Sequence, residues 1–121
     1  MAPAAMAVAD AVRISDGRRS RLVPAQDVVS AMAADDYCQV RLADGRTLLH
    51  GAPLAELIAQ APAVLVRVHR SHAVNLSHVE AVARRPGGGW TILMKDGAST
   101  PVGRTYHDVV RPWAAPRSRE G

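Results

Sequence analysis

The chain predicts a mainly β domain, an arrangement of short antiparallel sheets with one or two short helices. Three observations predict it. Asp-Gly pairs punctuate the sequence at Asp16-Gly17, Asp44-Gly45 and Asp96-Gly97, each between short segments of strand character, which is the strongest local signal for a hairpin. The flanking segments alternate apolar and polar residues, the period of a half-buried strand. Helical spacing occurs in only two short stretches.

Taken in order, Val12 and Ile14 lead into the first Asp-Gly pair, and Arg21 to Val23 leave it. Cys38, Val40 and Leu42 alternate with Tyr37, Gln39 and Arg41 before the second. Pro53 opens a helix whose apolar residues Leu54, Leu57, Ile58 and Ala61 fall at i, i+3, i+4 and i+7, and Pro62 closes it. Val64, Val66 and Val68 make a half-buried strand with Arg67 and His69 on its opposite face. Pro86 to Gly89 form a loop, after which Trp90, Ile92 and Met94 alternate with Thr91, Leu93 and Lys95 up to the third pair. A second helix begins at Thr105-Tyr106-His107-Asp108, a capping box of the Thr-x-x-acid type. Tyr106, Val109, Val110 and Trp113 form its apolar stripe, and Pro112 limits its length. One domain at residues 11–113 lies between disordered arms at 1–10 and 114–121.

With 121 residues the chain can bury one core, and with 48% apolar residues but no Phe, two Trp and two Tyr that core is aliphatic. A single cysteine excludes a disulfide framework and a Cys-based zinc cage. Cys38 falls on the apolar phase of its strand, so it reads as a buried, inert thiol. Met1 to Val12 has no basic stretch and carries Asp10, which makes a poor secretory signal. No apolar run reaches about 18 residues, so nothing here spans a membrane. The expected location is the cytoplasm.

The net charge is +4 and only one of fifteen cations is Lys. Residues 20–63 hold three cations and five acids, whereas residues 64–111 hold seven cations and three acids. A positive half suits a polyanion; a solvated basic face suits the same numbers.

Catalytic and metal chemistry find little support. His69 and His72 are spaced H-x-x-H but have no nearby Cys or carboxylate, and zinc needs three or four converging ligands. Ser71 lies between Arg70 and His72, yet adjacent residues point apart and cannot act as nucleophile and base. Neither a Gly-x-Ser-x-Gly elbow nor a P-loop is present. No enzyme, metal or cofactor is expected.

The basic surface is more informative. Arg67 to Leu76 begins as a strand, presents Arg70, Ser71 and His72, and returns to apolar residues and Asn75, which reads as a structural tie after the loop. Arg104 and Thr105 sit at the start of the last helix, where free N–H groups favour an anion. Tyr37 lies on the polar phase of its strand beside Asp35 and Asp36. Arg67 and Lys95, with Arg104 and Thr105, are candidates to anchor a phosphate backbone, and Arg84 and Arg85 add nonspecific attraction.

In order and spacing these residues resemble the LytTR DNA-binding domain, the output module of many bacterial response regulators in two-component systems. The likeness runs from about Val12 to Val110. It takes in Asp27-Val28-Val29, Asp36-Tyr37-Cys38-Gln39-Val40, Leu54-Ala55-Glu56-Leu57, Val68-His69-Arg70-Ser71-His72-Ala73-Val74-Asn75-Leu76, Met94-Lys95-Asp96-Gly97 and Pro101-Val102-Gly103-Arg104-Thr105-Tyr106. The resemblance implies an elongated mainly β fold and binding of duplex DNA by loops inserted in successive major grooves, at direct repeats in promoters. A second copy would bind alongside. It implies contacts from Tyr37, Arg70, Arg104 and Thr105. Gly103 stands where the family commonly has Ser, and Tyr37 where some members use a shorter polar residue. Two other readings compete. One is a protein-interaction module docking an acidic partner; the other is single-stranded RNA binding, for which four aromatic residues are few.

Overall fold

The computed structural model describes residues 11–114, and its strands form three antiparallel sheets. β1 (Ala11–Ser15) and β2 (Ser20–Pro24) make a two-stranded ribbon. A central sheet runs in the order β5 (Thr47–His50), β4 (Tyr37–Leu42), β3 (Val28–Ala34), β7 (His72–Asn75) and β6 (Leu65–His69). A third sheet contains β10 (Ser99–Pro101), β9 (Trp90–Met94) and β8 (Val79–Arg84). Two helices complete the fold, α1 (Leu54–Gln60) and α2 (His107–Ala114). The expected mainly β class holds.

All three Asp-Gly pairs turn a hairpin by one device. The Asp carboxylate accepts an amide two residues on, from Arg18 at 2.9 Å, Arg46 at 2.9 Å and Ala98 at 3.0 Å. The glycine follows at φ 93–95°, where a side chain would be strained. These amides hold the Asp16 and Asp44 carboxyls below their ordinary range: at Asp16 the Arg18 amide leads, and at Asp44 the Arg46 amide leads, followed by its side chain. Two further hairpins carry no glycine. Asp35 takes φ 55° between β3 and β4, and Arg70-Ser71 joins β6 to β7.

The central sheet is covered on both faces. On one, Ala31, Cys38, Val40, Leu42 and Ala73 meet Val12, Ile14 and Val23 of the ribbon and Leu54 and Leu57 of α1. On the other, Val29, Val68 and Val74 meet Ile92, Met94 and Val110. A register shift between Val28 and Ser30 changes the parity of β3, so Val28 and Ala31 share the first core while Val29 enters the second. The double cover corrects the reading of β6. That strand starts at Leu65 rather than Val64, and Leu65 is buried in the first core while Val68 is buried in the second. Fully burying one such side chain contributes about 1.5–3 kcal/mol.

α1 follows its pattern, with Pro53 at the N-cap and Leu54 and Leu57 buried. α2 departs from expectation. A 3-10 turn at Arg104–Tyr106 precedes it, opened by Gly103, and no side-chain cap bond forms there. Thr105 is therefore inside the turn rather than a cap, and Asp108 pairs with Arg111 instead of reaching back. The cause is Gly103, whose amide is already tied to Val68 of β6 and starts the turn early. Pro112 lies inside α2 rather than ending it. Val110 is buried, but Val109 is 38% exposed and leaves the expected stripe. Ala114 closes α2, so the expected tail does not include it; residues 1–10 and 115–121 lie outside the described residues.

Asn75 is a buried tie, as its place in the sequence suggests. Its amide donates to the Val28 carbonyl at 2.9 Å, and its side-chain carbonyl accepts from Ser77 N–H at 3.0 Å. The link fastens the end of β7 to the start of β3.

Candidate nucleic-acid interface

Strand direction sorts the loops to two ends. β3 and β6 run toward the end where Tyr37 opens β4 and His72 opens β7. The ribbon turn at Asp16–Arg19 reaches the same end, because Gly51 N–H donates to the Ser15 carbonyl at 2.8 Å and His50 pairs with Cys38. β8 and β9 place Arg84 and Trp90 there too: Val102 N–H donates to Trp90 O at 3.2 Å, and Gly103 N–H donates to Val68 O at 2.8 Å. One end of the molecule thus carries the connections at residues 16–19, 35–36, 51–53, 70–71, 85–89 and 103–106.

The Arg70-Ser71 turn occupies the middle of this end. Its neighbour on one side is the β3–β4 tip, joined by a bond from Ala33 N–H to Ser71 O at 2.8 Å. On the other side stands the Arg104 turn, where a Cβ built on Gly103 would lie 3.4 Å from His69 Cα. Arg70, Arg104 and Thr105 are exposed, and Tyr37 is 36% exposed. No carboxylate pairs with Arg70 or Arg104 among the described residues. These guanidinium groups retain their full donor capacity for an outside acceptor.

The remaining predicted residues divide. Arg84 lies over the Trp90 ring at 5.3 Å, which holds its stem against the sheet end, and Arg85 is exposed beside it. Ser71 in the turn and His72 at the start of β7 are half-buried. Arg67 is half-buried, with its guanidinium donating to the Arg70 carbonyl at 2.8 Å. Lys95 is apart: it follows β9 at the opposite end, where its amide donates to His78 O at 2.8 Å. Next to it Asp96 pairs with Arg41 and bridges two sheets.

The structure adds residues that the sequence reading passed over. Arg18 and Arg19 are exposed at the ribbon tip and join the basic end. Their signal was available, since both follow an Asp-Gly pair and so sit on a hairpin turn. Asp35 and Asp36 also lie on this end and set a local negative spot among the cations. His69 matters as well, for its Nδ1 accepts from Ser71 N–H at 3.0 Å. The His69 and His72 rings meet edge to face at 5.0 Å. Burial, and then the neighbouring His69, push the His72 pKa down. Among the described residues no three His, Cys, Asp or Glu side chains converge as metal ligands.

A family model described as the LytTr DNA-binding domain matches residues 18–114. The chain belongs to the LytTr DNA-binding domain family. A solved LytTr domain from a Bacillus cereus methyl-accepting/DNA response regulator superposes with TM-score 0.73 at 25% identity, covering 86% of this chain and 95% of that one. Sensory transduction protein LytT of Bacillus subtilis is 26% identical over 98 residues, 77% of this chain and 39% of that protein. LytT of Bacillus cereus is 28% identical over 93 residues, 69% of this chain and 38% of that protein. The chain spans about two fifths of the length of these LytT relatives. The resemblance drawn from the His-Arg-Ser…Val-Asn stretch therefore holds, and with it the DNA-binding class. No helix among the described residues is long and apolar enough to cross a membrane.

Proposed function

We propose that this domain binds double-stranded DNA sequence-specifically to regulate transcription, as the cytoplasmic output module of a response regulator. The observation that carries this reading is the meeting of Tyr37, Arg70 and Arg104 on adjoining turns at one basic end. Arg70, at the centre, reads a base edge, for which a forked guanidinium suits guanine. Arg104 and Thr105 anchor the backbone, and Arg84, Arg85, Arg18 and Arg19 supply attraction to flanking phosphates. The likeness to the family supports engagement of successive major grooves by turns of this end, and paired direct repeats in a promoter would seat two copies.

The test is selection from a random duplex pool followed by titration at several salt concentrations. Enrichment of one motif is expected, with log affinity falling against log salt at a slope of roughly −4.5 if five phosphates are neutralised. A flat salt response would remove the basic end from the contact surface. Docking of an acidic protein partner is the competing reading. A random-sequence duplex that fails to displace such a partner would favour it.

A further inference from the structure

The peptide unit between Arg70 and Ser71 is clamped at both of its polar ends. Its carbonyl accepts from Arg67 Nη1 at 2.8 Å, and its N–H donates to His69 Nδ1 at 3.0 Å. The following carbonyl, on Ser71, accepts from Ala33 N–H at 2.8 Å. In a two-residue turn the central peptide is the soft element. It can flip by trading ψ of the first residue against φ of the second, which is how turns of types I and II interconvert. Such a flip would swing the Arg70 backbone relative to the sheet. Here each end of the peptide has a partner on the strand that leads into the turn, so a flip breaks two hydrogen bonds at once.

We propose that Arg67 and His69 are positioning residues that aim Arg70, and that Arg67 does not itself contact a phosphate. This rests on the DNA-binding reading for its second arm only. The Arg67 guanidinium is directed at a backbone oxygen three residues ahead. A planar fork holds such an acceptor with less loss of freedom than an ammonium would. Alternation along β6 puts Arg67 and His69 in reach of the turn without putting either at its tip. His69 can accept the Ser71 amide only while Nδ1 carries no proton.

The first arm of the test uses free protein. Amide exchange at Ser71 is expected to rise severalfold in Arg67→Met, which keeps the stem but removes the donors, and in His69→Phe, which removes the acceptor. Exchange at β3 and β7 should stay at wild-type rates, which checks the fold, and His69→Gln should restore part of the protection. The second arm uses a duplex recovered by wild-type selection. Arg67→Met should bind about tenfold more weakly, the scale of one misplaced base contact, with the salt slope unchanged. Combined with Arg70→Ala it should add nothing further. A slope reduced by about one, or losses that add, would make Arg67 a phosphate contact and overturn the proposal. Unchanged Ser71 exchange in both variants would overturn it with no DNA present. If wild type selects no duplex, the exchange arm alone decides the clamp, while the DNA reading falls separately.

Discussion

Gly103 donates its amide to the carbonyl of Val68 at 2.8 Å. This bond seats the Arg104 turn against β6, the strand that leads into Arg70. Two basic turns 34 residues apart in sequence thereby become neighbours.

Arg70→Ala should weaken binding to a selected duplex by about 1–3 kcal/mol while leaving random duplex close to wild type. Removing Arg18 and Arg19 together should weaken both duplexes alike and lower the salt slope by roughly 1–2. Anisotropy titrations on the two duplexes separate the roles. Equal losses on both for Arg70→Ala would exclude it from base readout.

Gly103→Ser adds a side chain at the start of the Arg104 turn and sets two small effects against each other. A Cβ would meet the Tyr106 ring at 3.2 Å and His69 Cα at 3.4 Å. Yet Gly103 sits at an N-cap in extended conformation with no side-chain cap, where Ser exceeds Gly by a few tenths of a kcal/mol. Tyr106 is half-buried and its ring can give way, so stability should change by less than about 0.5 kcal/mol. The DNA preference should change more, since a hydroxyl arrives beside Arg104. A loss above about 2 kcal/mol in urea melts, the range of overpacking, would mean that the Val68–Gly103 contact tolerates no side chain.

Asn75→Ala should cost about 2–3 kcal/mol, because it strands the buried Val28 carbonyl and the Ser77 amide together. That approaches the roughly 2–5 kcal/mol expected for Leu57→Ala in the first core. Urea midpoints of the two variants test the comparison. A cost for Asn75→Ala near zero would mean that water replaces both bonds.

Stability should also fall in mild acid. The folded pKa of His72 lies below its ordinary value of 6.5, first through burial and then through His69. The unfolded chain therefore binds more protons than the folded one in this window. The contribution is complete above pH 6.5 and declines as pH drops from there through the lowered folded pKa. His72→Gln should flatten this part of the profile in urea midpoints measured between pH 7.5 and 5. A profile as steep in the variant as in wild type would assign the protons elsewhere.

Much of this was legible in the residues. The Asp-Gly pairs marked their hairpins because carboxylate and glycine act locally, within two residues. Leu54 and Leu57 announced their helix because one face of α1 meets one core. β6 was misread because it is covered on both sides, and a strand between two cores loses the alternation that shows which residues point inward. The start of α2 was misread because a long-range bond, from Gly103 to Val68, outweighs the local capping pattern at Thr105. For the site, Arg70 and Arg104 were recognisable from their motifs. The grouping of Arg18 and Arg19 with them depends on β1 docking beside β5, and that no local pattern encodes. The brace from Arg67 depends on a register shift between Arg67 and His69, which is equally silent in the residues.

Cys38 has a practical consequence. It is fully buried, its Sγ donates to the Ala52 carbonyl at 3.2 Å, and burial together with the Glu56 charge pushes its pKa up. A thiol so enclosed reacts with an alkylating reagent only when the sheet around it opens. Labelling rate at this lone sulfur thus reports unfolding directly, and it gives every variant above an intrinsic gauge of integrity that requires no added probe.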